Sequence, residues 1–173
     1  MKAADLKKHI RDIPNFPKEG IIFKDISTLL KNREAFKTSI DILAKKFKKK
    51  RIAYVVGVEA RGFIFGSALA YKLGAGFIPV RKKGKLPHKT CSITYQLEYG
   101  TDTLEMHEDA IPADARVLLV DDLLATGGTI KAVIDLIQRQ KARIVGVAFI
   151  VELQFLKGKE KLKDLPIYSI IQY

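Results

Sequence analysis

The sequence predicts an α/β fold, a mostly parallel twisted sheet flanked by helices, and three patterns carry that expectation. Short unbroken apolar runs such as Val117-Leu118-Leu119-Val120 suit strands covered on both faces. Helical spacings follow such runs, as with Ile130, Val133, Ile134 and Ile137. Charged or glycine-rich turns stand between the two, at the strand carboxyl ends where open α/β sheets bind ligands. Strands alternating with helices further imply right-handed crossovers.

Taken in order, residues 3–11 have the pattern of a short amphipathic helix. IPNFPKEGIIF follows, with two prolines and one glycine, and reads as an irregular segment that acts as a flap rather than as core. A helix over about residues 34–48 (Phe36, Ile40, Leu43, Phe47) runs into KKFKKKR, six bases in seven residues, read as a solvated helix end whose cations complement the helix dipole. IAYVVGV is a strand, Glu59-Ala60-Arg61 a loop, and a helix starts near Gly62 and passes through Phe65, Leu69 and Leu73. Residues 76–81 form another strand and RKKGKLPHKT a basic loop. Alternation over 92–106, broken at Tyr99-Gly100, predicts an exposed β-ribbon. Strands at 144–151 and 167–171 complete the chain.

The 173 residues suit one α/β domain with a substantial core. Cys91 is the only cysteine, which excludes an intrachain disulfide and points to a reducing compartment. The first twenty residues lack the apolar core of a signal peptide, and the longest apolar stretch, Ile144 to Val151, is eight residues, so the expectation is a cytoplasmic protein without membrane partners. The net charge of +12 favours polyanions, either nucleic acids or phosphorylated metabolites, and does not choose between them. No zinc-finger spacing or RNP-like aromatic pattern accompanies it, so no nucleic-acid partner is expected. His9, His88 and His107 lack metal-ligand spacing.

The segment VLLVDDLLATGGT carries the chemistry. Its strand pattern delivers Asp121 and Asp122 to a crevice, and Ala125-Thr126-Gly127-Gly128-Thr129 can fold into a turn with free backbone N–H groups at the start of a helix. A phosphate there meets amides, two hydroxyls and the positive helix end. The acids would hold either vicinal sugar hydroxyls or a metal ion. The plainer alternative is a helix start capped by Thr126 or Thr129. That alternative explains Gly-Gly but not two carboxylates and two threonines around it. The segment is neither a P-loop nor a dinucleotide fingerprint.

Arg61, at a second strand end, is placed to lie across the crevice from Asp121 and to clamp pyrophosphate. Its alternative is a surface pair with Glu59. Arg81, Lys82, Lys83 and Lys85 form either a lid over a polyphosphate or a solvated turn. Glu98 and Tyr99 read as ribbon-tip turn residues.

These segments together resemble the type I phosphoribosyltransferases, and specifically their adenine-using branch, over nearly the whole chain. VLLVDDLLATGGT resembles the phosphoribosyl-pyrophosphate (PRPP) motif, GVEARGFIFGSALA the pyrophosphate loop, and IPNFPKEGIIFKDIS the hood over the purine. RKKGKLP and YQLEYGTDTLEMH resemble the flexible loop, and VELQFLKGKEKL the C-terminal end. The resemblance implies a single phosphoribosyltransferase domain over 1–173, with a hood over about 1–33 and a flexible loop over about 81–101. It implies transfer of phosphoribosyl from PRPP to adenine, giving AMP and pyrophosphate.

By residue, it implies that Ala125, Thr126, Gly127, Gly128 and Thr129 hold the 5-phosphate, while Asp121 and Asp122 contact ribose hydroxyls. Arg61 and Lys82 contact pyrophosphate, with Arg81 and Lys85 near it or reaching a neighbouring subunit's site. Phe23 and Leu123 sandwich adenine, whose polar edge is read by the backbone of Ile22 and Lys24. Lys24 stands where relatives often carry Arg, which leaves the backbone contact and removes a bidentate one. Glu98 and Tyr99 match the mobile loop's Glu-Tyr pair, with Glu98 implied in proton handling and Tyr99 in binding PRPP. Mg²⁺ would arrive mainly with PRPP and reach Asp121 and Asp122 through water, and the chain would form a homodimer. Two rival readings keep the fold: a longer regulator that senses PRPP on DNA, and an enzyme for xanthine or another oxopurine.

Overall fold

The computed structural model describes residues 1–96, 100–162 and 164–173. The chain opens with α1 (Ala3–Leu6) and a 3-10 turn over Lys7–His9, so the helix expected over 3–11 is shorter than its pattern. Arg11 already belongs to β1 (Arg11–Pro14), which pairs antiparallel with β2 (Ile22–Asp25). The segment expected to be irregular therefore supplies the end of β1, a turn over 15–21 that holds Pro17 and Gly20, and the start of β2. Asp25 fixes the hairpin base: it accepts from Arg11 Nε at 3.1 Å and from Ser27 N at 2.8 Å.

Beyond the hairpin come α2 (Ser27–Lys31) and α3 (Arg33–Phe47), the latter capped by Asn32, whose Oδ1 accepts from Ala35 N at 2.9 Å. The lysine run follows as a 3-10 turn over Lys48–Lys50, with Arg51 in the left-handed region. The remaining elements are β3 (Tyr54–Val58), α4 (Arg61–Leu73), β4 (Gly76–Lys82), β5 (Thr90–Gln96), β6 (Thr101–His107), β7 (Arg116–Leu124), α5 (Gly128–Arg139), β8 (Arg143–Glu152) and β9 (Ile167–Gln172).

Among the described residues the main sheet has seven strands in the order β5-β6-β4-β3-β7-β8-β9. The four neighbouring pairs from β4 to β9 are parallel, while β6 joins β4 and β5 antiparallel. Strand residues alternate between two apolar layers, as a period of two requires. Val55, Leu118, Val120, Ala148 and Ile150 face Leu43, Phe47, Phe65 and Leu69 of α3 and α4. Val56, Val58, Leu119, Val147 and Phe149 face Ile130, Val133, Ile134 and Ile137 of α5. No helix is long and apolar enough to cross a membrane among the described residues.

The sheet order creates the crevice. From β3 the chain crosses through α4 to β4 on one side, and from β7 through α5 to β8 on the other. β3 and β7 thus flank the point where winding reverses, where a ligand cleft opens outside the strand ends. β7 also outruns its neighbour. Its pairing with β3 stops at Gly57↔Val120, whereas its pairing with β8 continues to Leu124↔Glu152. Asp121 and Asp122 therefore sit near the carboxyl end of β7, as the sequence pattern predicts, although the strand runs on to Leu124, and one edge of their backbone is left toward the crevice.

Candidate active site

Two cavities meet outside these strand ends. The first, about 340 Å³, is lined by Glu59, Arg61, Lys82, Tyr95, Asp102, the stretch Asp121–Ile130 and the adjoining backbone. The second, about 530 Å³, lies under the hairpin, between Gly20–Lys24 on one side and Leu123, Leu153, Phe155, Leu156 and Tyr173 on the other. Arg61, Leu123 and Ala125 line both. One space is rich in charge and free amides, the other is apolar, and they share a wall.

In the first cavity the glycine turn is built by close packing. Gly127 has φ +80°, and a Cβ there would stand 2.7 Å from the carbonyl oxygen of Gly158, a contact no side chain tolerates. Gly127 is also the N-cap residue of α5, and no side chain caps that helix. Thr126 and Thr129 are thus not spent on the plainer capping role. The hydroxyl of Thr129 donates instead to Tyr95 Oη at 3.3 Å, which fastens the ribbon strand β5 beside the turn. The first amides of α5 and its positive end face the cavity.

Asp121 and Asp122 differ sharply in surroundings. Asp122 is 4% exposed, and its Oδ2 lies 3.0 Å from Arg61 Nε but has no hydrogen-bond partner. Asp121 Oδ1 accepts from the amide of Asp122 at 2.8 Å. Burial, and then the neighbouring Asp122 charge, push the Asp121 carboxyl well above the usual range. Asp122 is also raised by burial, against the pull of Arg61. The Arg61 guanidinium beside Asp122 favours the charged form there more than at Asp121. Gly62 lets α4 approach this pair: a Cβ on it would lie 2.8 Å from Asp121 Oδ1.

Each expected pyrophosphate cation on strand or helix has an internal acid. Arg61 pairs with Asp122 rather than with Glu59, the surface partner that its sequence position suggests. Lys82 Nζ stands 3.2 Å from Asp102 Oδ2. Arg81 Nε stands 3.2 Å from Glu59 Oε2, and Arg81 also donates to the carbonyl of Lys85 at 3.1 Å. Burial raises the Glu59 carboxyl, but the Lys82 amide and the Arg81 guanidinium outweigh it and hold the group low. The Glu59–Ala60 peptide is cis.

The structure thus gathers Arg61, Lys82, Asp121, Asp122 and Ala125–Thr129 around one cavity, and Ile22, Phe23, Lys24 and Leu123 around the other. Arg81 and Lys85 stand outside both linings, held by Glu59 and by each other. Glu98 and Tyr99 lie outside the described residues. Glu59, Tyr95, Asp102, Phe155 and Tyr173 line the cavities without having been singled out as ligand contacts in the sequence, because nothing local marks them. Lys24 is tied by its side chain to Asp12 Oδ1 at 2.7 Å, which leaves its backbone on the cavity wall.

Residues 25–171 match the phosphoribosyl transferase domain family. The adenine phosphoribosyltransferase of Trichormus variabilis is 58% identical over 171 residues, covering 98% of this chain and 99% of that one. The crystal structure of adenine phosphoribosyltransferase from Thermoanaerobacter pseudethanolicus superposes with a TM-score of 0.96 at 49% identity, covering 99% of this chain and 100% of that one. The Saccharomyces cerevisiae enzyme, complexed with an imino-altritol bisphosphate and adenine, superposes with a TM-score of 0.93 at 42% identity over 97% of both chains.

Proposed function

Since this chain belongs to the phosphoribosyltransferase family and, within it, to the adenine phosphoribosyltransferases, we infer that its two joined cavities hold the two halves of AMP. The reaction transfers 5-phosphoribosyl from PRPP to adenine, giving AMP and pyrophosphate in purine salvage. One observation carries the assignment of halves: the polar and the apolar cavity share Arg61, Leu123 and Ala125 as a common wall. A phosphorylated sugar fits the first and a flat base the second, with the bond between them formed at the junction.

In this reading the turn Ala125–Thr129 takes the 5-phosphate on its amides and hydroxyls. Asp122, with Asp121 beside it, orients the ribose hydroxyls and sets a negative field where the sugar becomes cationic. As the bond from C1 to pyrophosphate breaks, a purine nitrogen attacks the opposite face of the sugar with inversion. Arg61 and Lys82 exchange Asp122 and Asp102 for pyrophosphate oxygens and stabilise the leaving charge. Arg81 and Lys85 lie one step further out, within reach of that group or of a neighbouring subunit. Phe23 and Leu123 enclose the base, and the backbone of Ile22 and Lys24 reads its polar edge. Glu98 is proposed for proton handling and Tyr99 for binding PRPP. Exclusion of water matters because water would otherwise capture the cationic sugar.

Among the described residues no cluster of three His, Cys, Asp or Glu side chains is set to hold a metal ion. The chain instead fits an ion that arrives with its substrate: the buried Asp122 Oδ2, with no hydrogen-bond partner, lies in the crevice beside Asp121. These two carboxylates would hold Mg²⁺ through water, and the ion neutralises the leaving group when bound. A homodimer is proposed as well. Ile64 and Tyr71, 39% and 90% exposed on α4, give that helix an apolar outer face suited to a second copy, and sedimentation of the purified chain tests it.

The decisive assay supplies PRPP with labelled adenine, hypoxanthine, guanine or xanthine, with and without magnesium. AMP from adenine alone, dependent on the metal, is the expected result. Turnover of an oxopurine in preference to adenine, or no turnover with salt-sensitive DNA binding, would overturn the reading.

A further inference from the structure

Tyr173 lines the apolar cavity beside Phe23, Lys24 and Leu123, although it belongs to neither the hairpin nor the phosphate turn. Its backbone is fixed to the edge of the main sheet: its N–H donates to Glu152 O at 3.0 Å and its carbonyl accepts from Gln154 N at 2.9 Å. Two ammonium groups stand over its ring. Lys24 Nζ is 4.0 Å from the ring centroid and Lys7 Nζ 4.1 Å. Lys24 comes from β2 and also pairs with Asp12 of β1 at 2.7 Å, while Lys7 donates to Gln172 O at 2.9 Å. The N-terminal turn, both hairpin strands and the last strand of the sheet therefore meet at one aromatic ring.

A cation over a tyrosine face is attracted by the ring quadrupole, more strongly where water is excluded. The Lys24 side chain is 11% exposed, so little water competes. The hairpin needs such a fastening because two strands alone are marginally stable. Its other charged contact at the cavity is the Arg61 guanidinium, 5.3 Å from the Phe23 centroid, and Arg61 is committed to pyrophosphate during the reaction. Tyr173 offers a hold that the chemistry does not disturb.

We propose that Tyr173 is a positioning residue for the purine: flanked by Lys7 and Lys24, its ring holds β2 at the height where Phe23 and the backbone of Ile22 and Lys24 meet a base lying on Leu123. This rests on the apolar cavity being the adenine site. Its effect should be selective, since Tyr173 is absent from the lining of the phosphate cavity.

The test compares Tyr173→Phe, Tyr173→Ala and Lys24→Met with the unaltered protein by steady-state kinetics, varying adenine and PRPP in turn, and by hydrogen exchange of the hairpin amides over residues 11–25. Tyr173→Ala should raise the adenine KM about tenfold, with kcat and the PRPP KM within about twofold, the loss expected of one partly desolvated cation–π contact, and Lys24→Met, which also loses the Asp12 pair, should raise it at least as far. Both should speed exchange in the hairpin. Tyr173→Phe, which keeps an aromatic face for the cation, should restore both readouts. An unchanged adenine KM, equal rises in both KM values, or a Phe variant as impaired as Ala would overturn the proposal. If Tyr173→Ala does not fold, Tyr173→Leu compared with Tyr173→Phe decides it, because Lys24→Met also removes the Asp12 pair. If the unaltered protein forms no AMP, the reading of the cavity fails, and hairpin exchange alone then upholds or overturns the fastening.

Discussion

Arg61 Nε, at the start of α4, lies 3.0 Å from Asp122 Oδ2, near the far end of β7. The pair is lopsided, with the Arg61 side chain 40% exposed and that of Asp122 5%. The guanidinium can therefore turn toward an incoming anion, while the carboxylate stays where the strand holds it. Arg61 and Lys82 are each paired with an acid of the same cavity, so an anion entering there has to compete with Asp122 and Asp102.

Arg61→Met should then do two separable things. Turnover should fall by about 10²-fold, the usual effect of removing one group that stabilises developing charge. Stability should fall by about 1–3 kcal/mol, below the value for a fully buried pair because Arg61 is half in water. Adding Asp122→Asn to Arg61→Met should recover stability and not activity, which urea unfolding and AMP formation measured side by side would reveal.

Asp121→Asn should make the protein more stable and less active. Burial, then the Asp122 charge, raise the Asp121 carboxyl well above its ordinary range. Between the unfolded value and that raised value the native state binds more protons, so stability falls as pH rises through the window. An uncharged side chain removes that penalty. At pH 7 the variant should therefore unfold at a higher temperature than the unaltered protein. Combined with Asp122→Asn, turnover should drop by several orders of magnitude in a folded protein; a folded double variant with near-normal turnover would remove both acids from the mechanism.

Gly127→Ala and Gly62→Ala should damage the site by different routes. At Gly127 the methyl group meets Gly158 O at 2.7 Å in a backbone of φ +80°, so the phosphate turn must shift. About 1–3 kcal/mol of stability should be lost, and the PRPP KM should rise more than the adenine KM. At Gly62 the methyl group meets Asp121 Oδ1 at 2.8 Å and Val120 O at 3.1 Å, so kcat should suffer most. Equal effects on both substrates in both variants would contradict this division.

Asp25 should govern the acid side of stability at the hairpin. Hydrogen bonds from Ser27, then Arg11, lower its pKa to about 2. A lowered carboxyl contributes fully above its unfolded value and loses that contribution as pH falls toward the folded one. Thermal unfolding should therefore show about 2 kcal/mol lost between pH 4 and pH 2 in the unaltered protein, and a flatter profile in Asp25→Ala.

What the sequence determined by itself was local. The apolar run of β7, the two acids after it, the glycine turn and the amphipathic α5 are consecutive, and periods of 2 and 3.6 report burial along one stretch of chain. That is why the α/β class and one wall of the polar cavity were legible from residues 117–137. Periodicity says which face is buried but not what lies opposite. It took the sheet order, with β3 beside β7, to bring Arg61 to Asp122 and leave Glu59 to Arg81. It likewise took the tertiary fold to extend β7 through its acids, to turn a proline-rich segment into a hairpin, and to stand Tyr173 against Lys24, 149 residues away in sequence. Those pairings depend on which surfaces meet when the layers close, and that information is spread over the whole chain rather than written beside any one residue.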